Sequence, residues 1–329
     1  MMTLANAAWT LAASAFNWTP DVVRAERSAP AIAIAIVADG LTDTIEIEPG
    51  QTMRSFPTSS DDEVDAFRQG LEEAGGAVSI VGASLDDVDA RGVRRSLEER
   101  ESFLLPQLRA AQRMGALGVR LPIGQAGSEL LQRVLPVLRD LDLVLFEEIQ
   151  GQQTPDSPHT APAVDAIATI DDPHLRLLVD ISMLMPSLPP SYLEELGRAG
   201  IPADFIERLA SDWRSPDTAG AVFGLLRSGA VPPAAMTLYM DMIVRFGRSD
   251  ASVLRDILPM VGGFHLKFWD LDDTDGRVSQ PIADLAVELR GSEFAGTLCS
   301  EWGGHEWLED DPTEMTRRHL AIAREALSS

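Results

Sequence analysis

Eight short strand-like runs, the late ones apolar, recur along this chain, and stretches of helix length separate most of them. The runs are Trp9–Phe16, Asp43–Glu48, Ala77–Val81, Gly118–Leu121, Leu143–Ile149, Arg176–Ile181, Gly263–Phe268 and Gly296–Glu301. Runs of this length read as buried strands. The stretches between them are amphipathic. Asp61–Gly75 opens at an acidic cap and closes on Gly-Gly, Arg95–Met114 is rich in Glu, Leu and Arg, Glu129–Asp140 precedes the fifth run, and Asp311–Leu327 closes the chain. Eight strands alternating with helices predict a (β/α)8 TIM barrel. An open doubly wound sheet is the rival, disfavoured because no Gly-x-Gly-x-x-Gly opens a helix after an early strand.

One connection is far too long for a plain strand–helix unit. About 80 residues lie between Asp180 and His265, against roughly 30 for a whole βαβ unit. The expected insertion, about residues 183–262 between strands 6 and 7, contains Met183–Pro190 and helix-like segments around Ser191–Arg198, Pro202–Trp213, Thr218–Arg227 and Pro233–Arg245. On the carboxyl face of a barrel such a connection acts as a lid or docking surface, or as a helical layer that only packs. The loops Pro49–Ser60 and Gly82–Ser96 face the same side. No solenoid-length repeat or low-complexity linker interrupts the chain, so residues 1–329 are read as one domain.

Net charge is −24 over 329 residues. A surface of that sign repels a polyanion, so no nucleic-acid partner is expected; its plain consequence is solubility. No stretch of about 18 apolar residues is uninterrupted, so no membrane helix is expected. Cys299 is the single cysteine. It is read as a core residue rather than a nucleophile, and the lack of pairs fits a reducing compartment. The opening MMTLANAAWTLAASAF faintly imitates a signal peptide but has no positive charge before Arg24. It is read as the first strand, and a cytoplasmic location is expected.

In a parallel barrel all strand carboxyl ends share one face. The last four strands end in Glu148, Asp180, His265 and Glu301. Oxygen ligands with one imidazole suit a divalent cation. Bound to a sugar hydroxyl and the neighbouring carbonyl, such an ion stabilises the enolate formed when a base removes the adjacent proton. Strand alternation lets only one of Glu147 and Glu148 point inward; Glu148 is preferred because it leads into the loop, leaving Glu147 toward the helices or at a bulge. Lys267 shares a face with His265 and is a candidate oxyanion holder or a carboxylate's partner, with Asp270 placed to orient it. Arg120 at the fourth strand's end is a candidate for a substrate oxygen or for neutralising the acidic mouth. Gln150 and Gln152 are candidate polyol contacts. Trp302 and Trp307, around Gly303-Gly304, are candidate stacking platforms, and His305 is a candidate acid–base group with ordinary surface as its alternative. His159, His174 and His319 read as structural. Glu46 and Glu48 form a same-face pair on the second strand and read as polar filling, Glu48 nearer the mouth.

With Glu148, Asp180, His265 and Glu301 in that order, nearly the whole chain resembles the xylose isomerase-like TIM-barrel superfamily, which includes sugar isomerases, ketose 3-epimerases and type IV apurinic endonucleases. The resemblance implies manganese, magnesium or cobalt, with zinc in some members; manganese is expected here. It also implies that Glu148 and Glu301 are both ligands and the acid–base pair. The chain departs from the epimerases in having Ile181-Ser182-Met183 where they carry a histidine soon after the aspartate, and in its long insertion. Five histidines and strong acidity do not suit the endonuclease's trinuclear site. A third branch, the α subunit of bacterial C-glycoside deglycosidases, is also similar. It implies elimination of an aglycone from 3-oxo-glycosides beside a small β subunit, with His305 transferring a proton to or from the phenol. The expectations are therefore a metal-dependent sugar isomerase or epimerase-like enzyme, or this lyase; a small β subunit or a homo-oligomer as partner; and, from another class, a non-catalytic barrel serving in assembly.

Overall fold

The computed structural model describes residues 9–329; residues 1–8, the start of the segment weighed above as leader or strand, lie outside the described residues. Eight parallel strands close into a barrel in chain order. They are β1 (Thr10–Ser14), β2 (Thr44–Ile47), β3 (Ala77–Gly82), β4 (Gly118–Pro122), β5 (Val144–Ile149), β6 (Leu175–Asp180), β7 (Val261–Phe268) and β8 (Thr297–Trp302). Closure runs from Thr10 beside Thr297 to Ala13 beside Ser300. The first strand stops short of the expected Phe16 because the Ser14 hydroxyl accepts from the Phe16 amide at 3.3 Å and turns the chain into a 3-10 segment.

Helices wrap the strands, and their apolar faces supply the outer core. The helix Leu97–Met114 starts on a capping box, Ser96 and Glu99, and stops where Gly115 takes a φ of 78°, a conformation that costs glycine little. The helix Gly127–Leu141 buries Leu130, Leu131, Val134, Leu135 and Leu138 along one stripe. Inside the barrel, period-two alternation sends Ile80, Phe146 and Leu178 inward to form an apolar floor. One step further along each strand the inward residues become Gly82, Glu148 and Asp180, so a polar layer sits on that floor at the carboxyl end.

The insertion between β6 and β7 carries the helices Pro190–Arg198, Ala203–Ser211, Pro216–Arg227 and Met236–Arg245. It has its own core, including Tyr192, Leu196, Trp213, Tyr239 and Phe246, which Trp269 from the end of β7 joins to the barrel. Arg214 fastens its two ends by donating to the carbonyls of Leu184, Met185 and Ser249 at 3.0, 3.1 and 2.9 Å. Among the described residues, no helix is long and apolar enough to cross a membrane. Cys299 is buried, and burial holds its thiol well above the usual range.

His319 lies under the last strand. Its ring stacks on Phe268 with centroids 3.9 Å apart, and Nδ1 is 2.7 Å from the Ser300 hydroxyl. Burial lowers its pKa to about 3. The folded ring thus stays neutral where the unfolded one protonates, so this stability is present above the unfolded value of about 6.5 and is lost as pH falls toward 3. Between pH 6.5 and 5 the loss should be about 2 kcal/mol. Urea unfolding at both pH values should show His319→Phe losing about that much less than wild type; equal losses would refute the assignment.

Candidate metal centre

On β5, Glu148 faces the lumen and Glu147 faces away, where its carboxylate accepts from the Gly124 amide at 3.2 Å and burial pushes it up to about 7. From β4, the Arg120 guanidinium enters the lumen and meets three carboxylates. Its Nε donates to Glu46 at 3.0 Å, its Nη1 to Glu148 at 2.7 Å, and its Nη2 to Glu48. From β7, the buried His265 ring places Nε2 3.0 Å from both oxygens of Glu46. Its other nitrogen, Nδ1, lies 2.9 Å from Glu148 Oε1 and 2.9 Å from Glu301 Oε2. Asp180 accepts from the Ser182 amide at 2.7 Å, and Lys267 Nζ stands 3.3 Å from Glu301.

One donor atom from each of Glu148, Asp180, His265 and Glu301 lies within 4.8 Å of the others. His265 Nδ1 and Glu301 Oε2 are buried and have no hydrogen-bond partner among the described residues. Leaving such groups unsatisfied costs roughly 1–3 kcal/mol each. With Nε2 committed to Glu46, Nδ1 points at two carboxylate oxygens, a place that either a proton or a cation displacing it can fill. The residues therefore fit a divalent metal. The charges agree. Burial raises the Asp180 carboxyl to about 6. Burial also opposes charge on His265 and Glu301. Even so, Glu301, Glu46 and Glu148 hold the imidazole well above its usual pKa, while His265 and Lys267 hold Glu301 well below the carboxylate range.

Above this layer opens a cavity of about 510 Å³. Lys267, Arg120 and Gln150 reach it, as do the insertion residues Val244 and Arg245, and its aromatic edges are Phe16, Phe56 and Trp269. The expected platforms are elsewhere. Trp302 is fully buried, packed with Phe268 and Met315, and donates from Nε1 to the Trp269 carbonyl at 2.6 Å. Trp307 donates to the Ser191 hydroxyl at 3.1 Å and packs on Tyr192. Trp302, the last residue of β8, alternates outward from Glu301, and beyond the Gly303-Gly304 turn Trp307 packs into the wall. His305 stands edge-on to Phe16 with ring centroids 4.7 Å apart, outside the residues lining the cavity, and burial lowers its pKa. Asp270 does not meet Lys267; it accepts from the Ser191 amide and hydroxyl at the start of the helix Pro190–Arg198. Gln152 turns to the Met242 carbonyl in the insertion at 3.4 Å. His174 pairs with Asp172.

Glu46 is not filling. It is 0% exposed, and both its oxygens stand 3.0 Å from His265 Nε2, which holds the tilt of the ring. A charge at an inward strand position was the available signal, but its partner lies 219 residues away. Partners of this kind typically contribute 10–100-fold to metal affinity. Glu46→Gln should weaken Mn2+ binding by that factor in calorimetric titration while far-UV circular dichroism is unchanged; unchanged affinity would refute the positioning role.

No protein-family model matches this chain. Among solved structures it is similar to D-allulose 3-epimerase from Methylomonas sp., with a TM-score of 0.58 at 12% identity over 97% of each chain. It is also similar to 3-keto-D-glucoside 4-epimerase from E. coli, with a TM-score of 0.55 at 13% identity over 96% of this chain and 99% of that one. Both likenesses show the fold that this chain shares with TIM-barrel sugar epimerases. Its curated sequence relatives are narrower in kind. It is 27% identical over 301 residues to a C-glycoside deglycosidase α subunit of Arthrobacter globiformis, covering 89% of this chain and 85% of the relative. It is 27% identical over 289 residues to a 3'-dehydrocarminate deglycosidase α subunit of a Microbacterium species, covering 82% of each.

Proposed function

We propose that this chain is the catalytic subunit of a divalent-metal-dependent enzyme that removes the proton beside the carbonyl of a 3-oxo-glycoside and releases the aglycone. The observation that carries this reading is the convergence of Glu148, Asp180, His265 and Glu301, with two unsatisfied ligand atoms among them, beneath an open mouth. The relatives, which are deglycosidase α subunits, favour elimination over epimerisation and favour a partner subunit.

Glu148, Asp180, His265 and Glu301 would hold the ion, manganese being the expected one. When bound, a divalent ion supplies Lewis acidity toward a substrate carbonyl and its neighbouring hydroxyl. Glu148 and Glu301 enter from strands on different sides of the site, so each can hold or move a proton at a different edge of the sugar. Lys267, beside Glu301, presents a positive charge to oxygen that gains negative charge during deprotonation. Arg120 keeps Glu148 ionised and oriented. Phe16, Phe56 and Trp269 give the mouth an apolar border that suits a flat aglycone.

The test is elemental analysis of the purified protein, followed by incubation with 3-oxo-glycosides in deuterated water, alone and with a candidate partner subunit. Stoichiometric metal, deuterium entering beside the carbonyl and free aglycone are expected. Chelation should stop both reactions and Mn2+ should restore them. Metal-free active protein, or a product that is only a stereoisomer, would sink the lyase reading.

A further inference from the structure

Glu48 stands in the mouth with no assigned task. It extends from the end of β2 and lines the cavity, with its side chain 28% exposed. It is neither one of the four converging ligands nor a partner of His265. Its only ion-pair partner among the described residues is Arg120, which also serves Glu46 and Glu148. On the other side lies Gly82 at the end of β3. A Cβ there would stand 2.1 Å from Glu48 Oε2, so the absent side chain is what gives the carboxyl its place.

The charges of this cluster do not balance. Glu46, Glu48, Glu148, Asp180 and Glu301 are five carboxylates, and Arg120 and Lys267 are two permanent cations. A divalent ion with neutral His265 would still leave one negative charge in excess. Buried charge without compensation is costly, and binding one proton removes the cost. Glu148, Asp180 and Glu301 are committed as ligands, and Glu46 is committed to His265. Glu48 is the carboxyl left to carry that proton, and it carries it where substrate enters.

We propose that Glu48 is a catalytic residue, the acid that delivers a proton to the departing aglycone. This rests on the reading above. When Glu148 or Glu301 takes the C2 proton, the electron pair of the C2–H bond forms the C1=C2 bond, and the C1–aglycone bond breaks with its pair going to the aglycone. The aglycone takes the Glu48 proton, leaving a carboxylate beside Arg120 that is reprotonated from solvent through the open mouth. Base and acid are then different groups, and the metal ligands need not surrender an oxygen to protonate the leaving group. Burial, helped by Glu46, Glu301 and Glu148, pushes Glu48 up to about 7 against the pull of Arg120, which fits a proton held at neutral pH.

The experiment uses Glu48→Gln and Gly82→Ala in the metal-loaded protein with its partner subunit, on 3-oxo-glycosides whose phenols differ in acidity. Gly82→Ala keeps the carboxyl but displaces it. Mn2+ affinity should stay within about threefold of wild type in both variants. The infrared absorption of protonated carboxyls should be weaker in Glu48→Gln than in wild type by one carboxyl, the Glu147 contribution staying in both. Aglycone release should fall about 100-fold or more, in the range of general acid catalysis, with the largest losses for the least acidic phenols. Deuterium exchange at C2 should fall far less. Full release in Glu48→Gln with exchange intact, or a protonated-carboxyl absorption that Glu48→Gln leaves unchanged, would overturn the assignment alone. Absence of exchange and release in wild type would overturn the proposed reaction and this role with it.

Discussion

Glutamine at position 301 should abolish turnover, by about 10³-fold or more. Two losses combine. A neutral amide cannot take a proton from carbon, and removing one acid–base group commonly costs 10²–10⁴-fold. The amide is also a poorer ligand beside His265 Nδ1 and Lys267, which stand 2.9 and 3.3 Å from the present carboxylate. Mn2+ affinity should fall together with activity, and the exchange of substrate hydrogen with deuterated water should stop. Glu148→Gln should behave alike, because its carboxylate is the other oxygen donor within 2.9 Å of the same nitrogen. Single-turnover assays at saturating Mn2+ separate chemistry from occupancy. Wild-type rates in both variants would remove enolate chemistry from this protein.

Alanine at position 120 should destabilise the fold by about 3–5 kcal/mol, the usual cost of removing one partner from buried ion pairs. Arg120 is 14% exposed and holds Glu46, Glu48 and Glu148 at once. Without it, three carboxylates face one another across the lumen. For a protein of this size the melting temperature should fall by about 10 °C. The deficit should shrink on mild acidification, since protonating the stranded carboxylates relieves it. Lysine should recover only part of the loss, because a single ammonium cannot span three acceptors as a guanidinium does. Differential scanning calorimetry at two pH values checks both points. A thermally unaltered Arg120→Ala protein would mean that the polar layer is far wetter than its burial implies.

Much of the barrel was legible because its signals are local. Strand runs, the acidic cap at Asp61 and the Gly-Gly stop that closes Asp61–Gly75 are written within a few residues of where they act. The four ligands were legible for a related reason: parallel closure gathers strand ends whatever the details of packing. Alternation with a period of two let only one of Glu147 and Glu148 point inward, and the step into the loop favoured Glu148. The misplaced residues have another origin. Trp307 and Asp270 follow strand ends, and beyond a strand the backbone direction is set by what it packs against; Trp302, the last residue of β8, alternates away from the inward Glu301. Trp302 went to Phe268 and Met315, Trp307 to Tyr192, and Asp270 to Ser191 in the insertion. The same limit hid Phe16, Phe56 and Trp269, whose place at the mouth depends on three separate loops.

The amino-acid order alone determined an eight-unit barrel, its long sixth connection and a carboxylate–imidazole set at one rim, because hydrophobic period and strand polarity are properties of consecutive residues. Which groups serve those ligands was decided only in three dimensions. Glu46 acquires its role from a histidine 219 positions away, and Glu48 from an arginine and a glycine on two other strands. Hydrogen bonding and charge compensation act over a few ångströms of space, and distance along the chain carries no record of them.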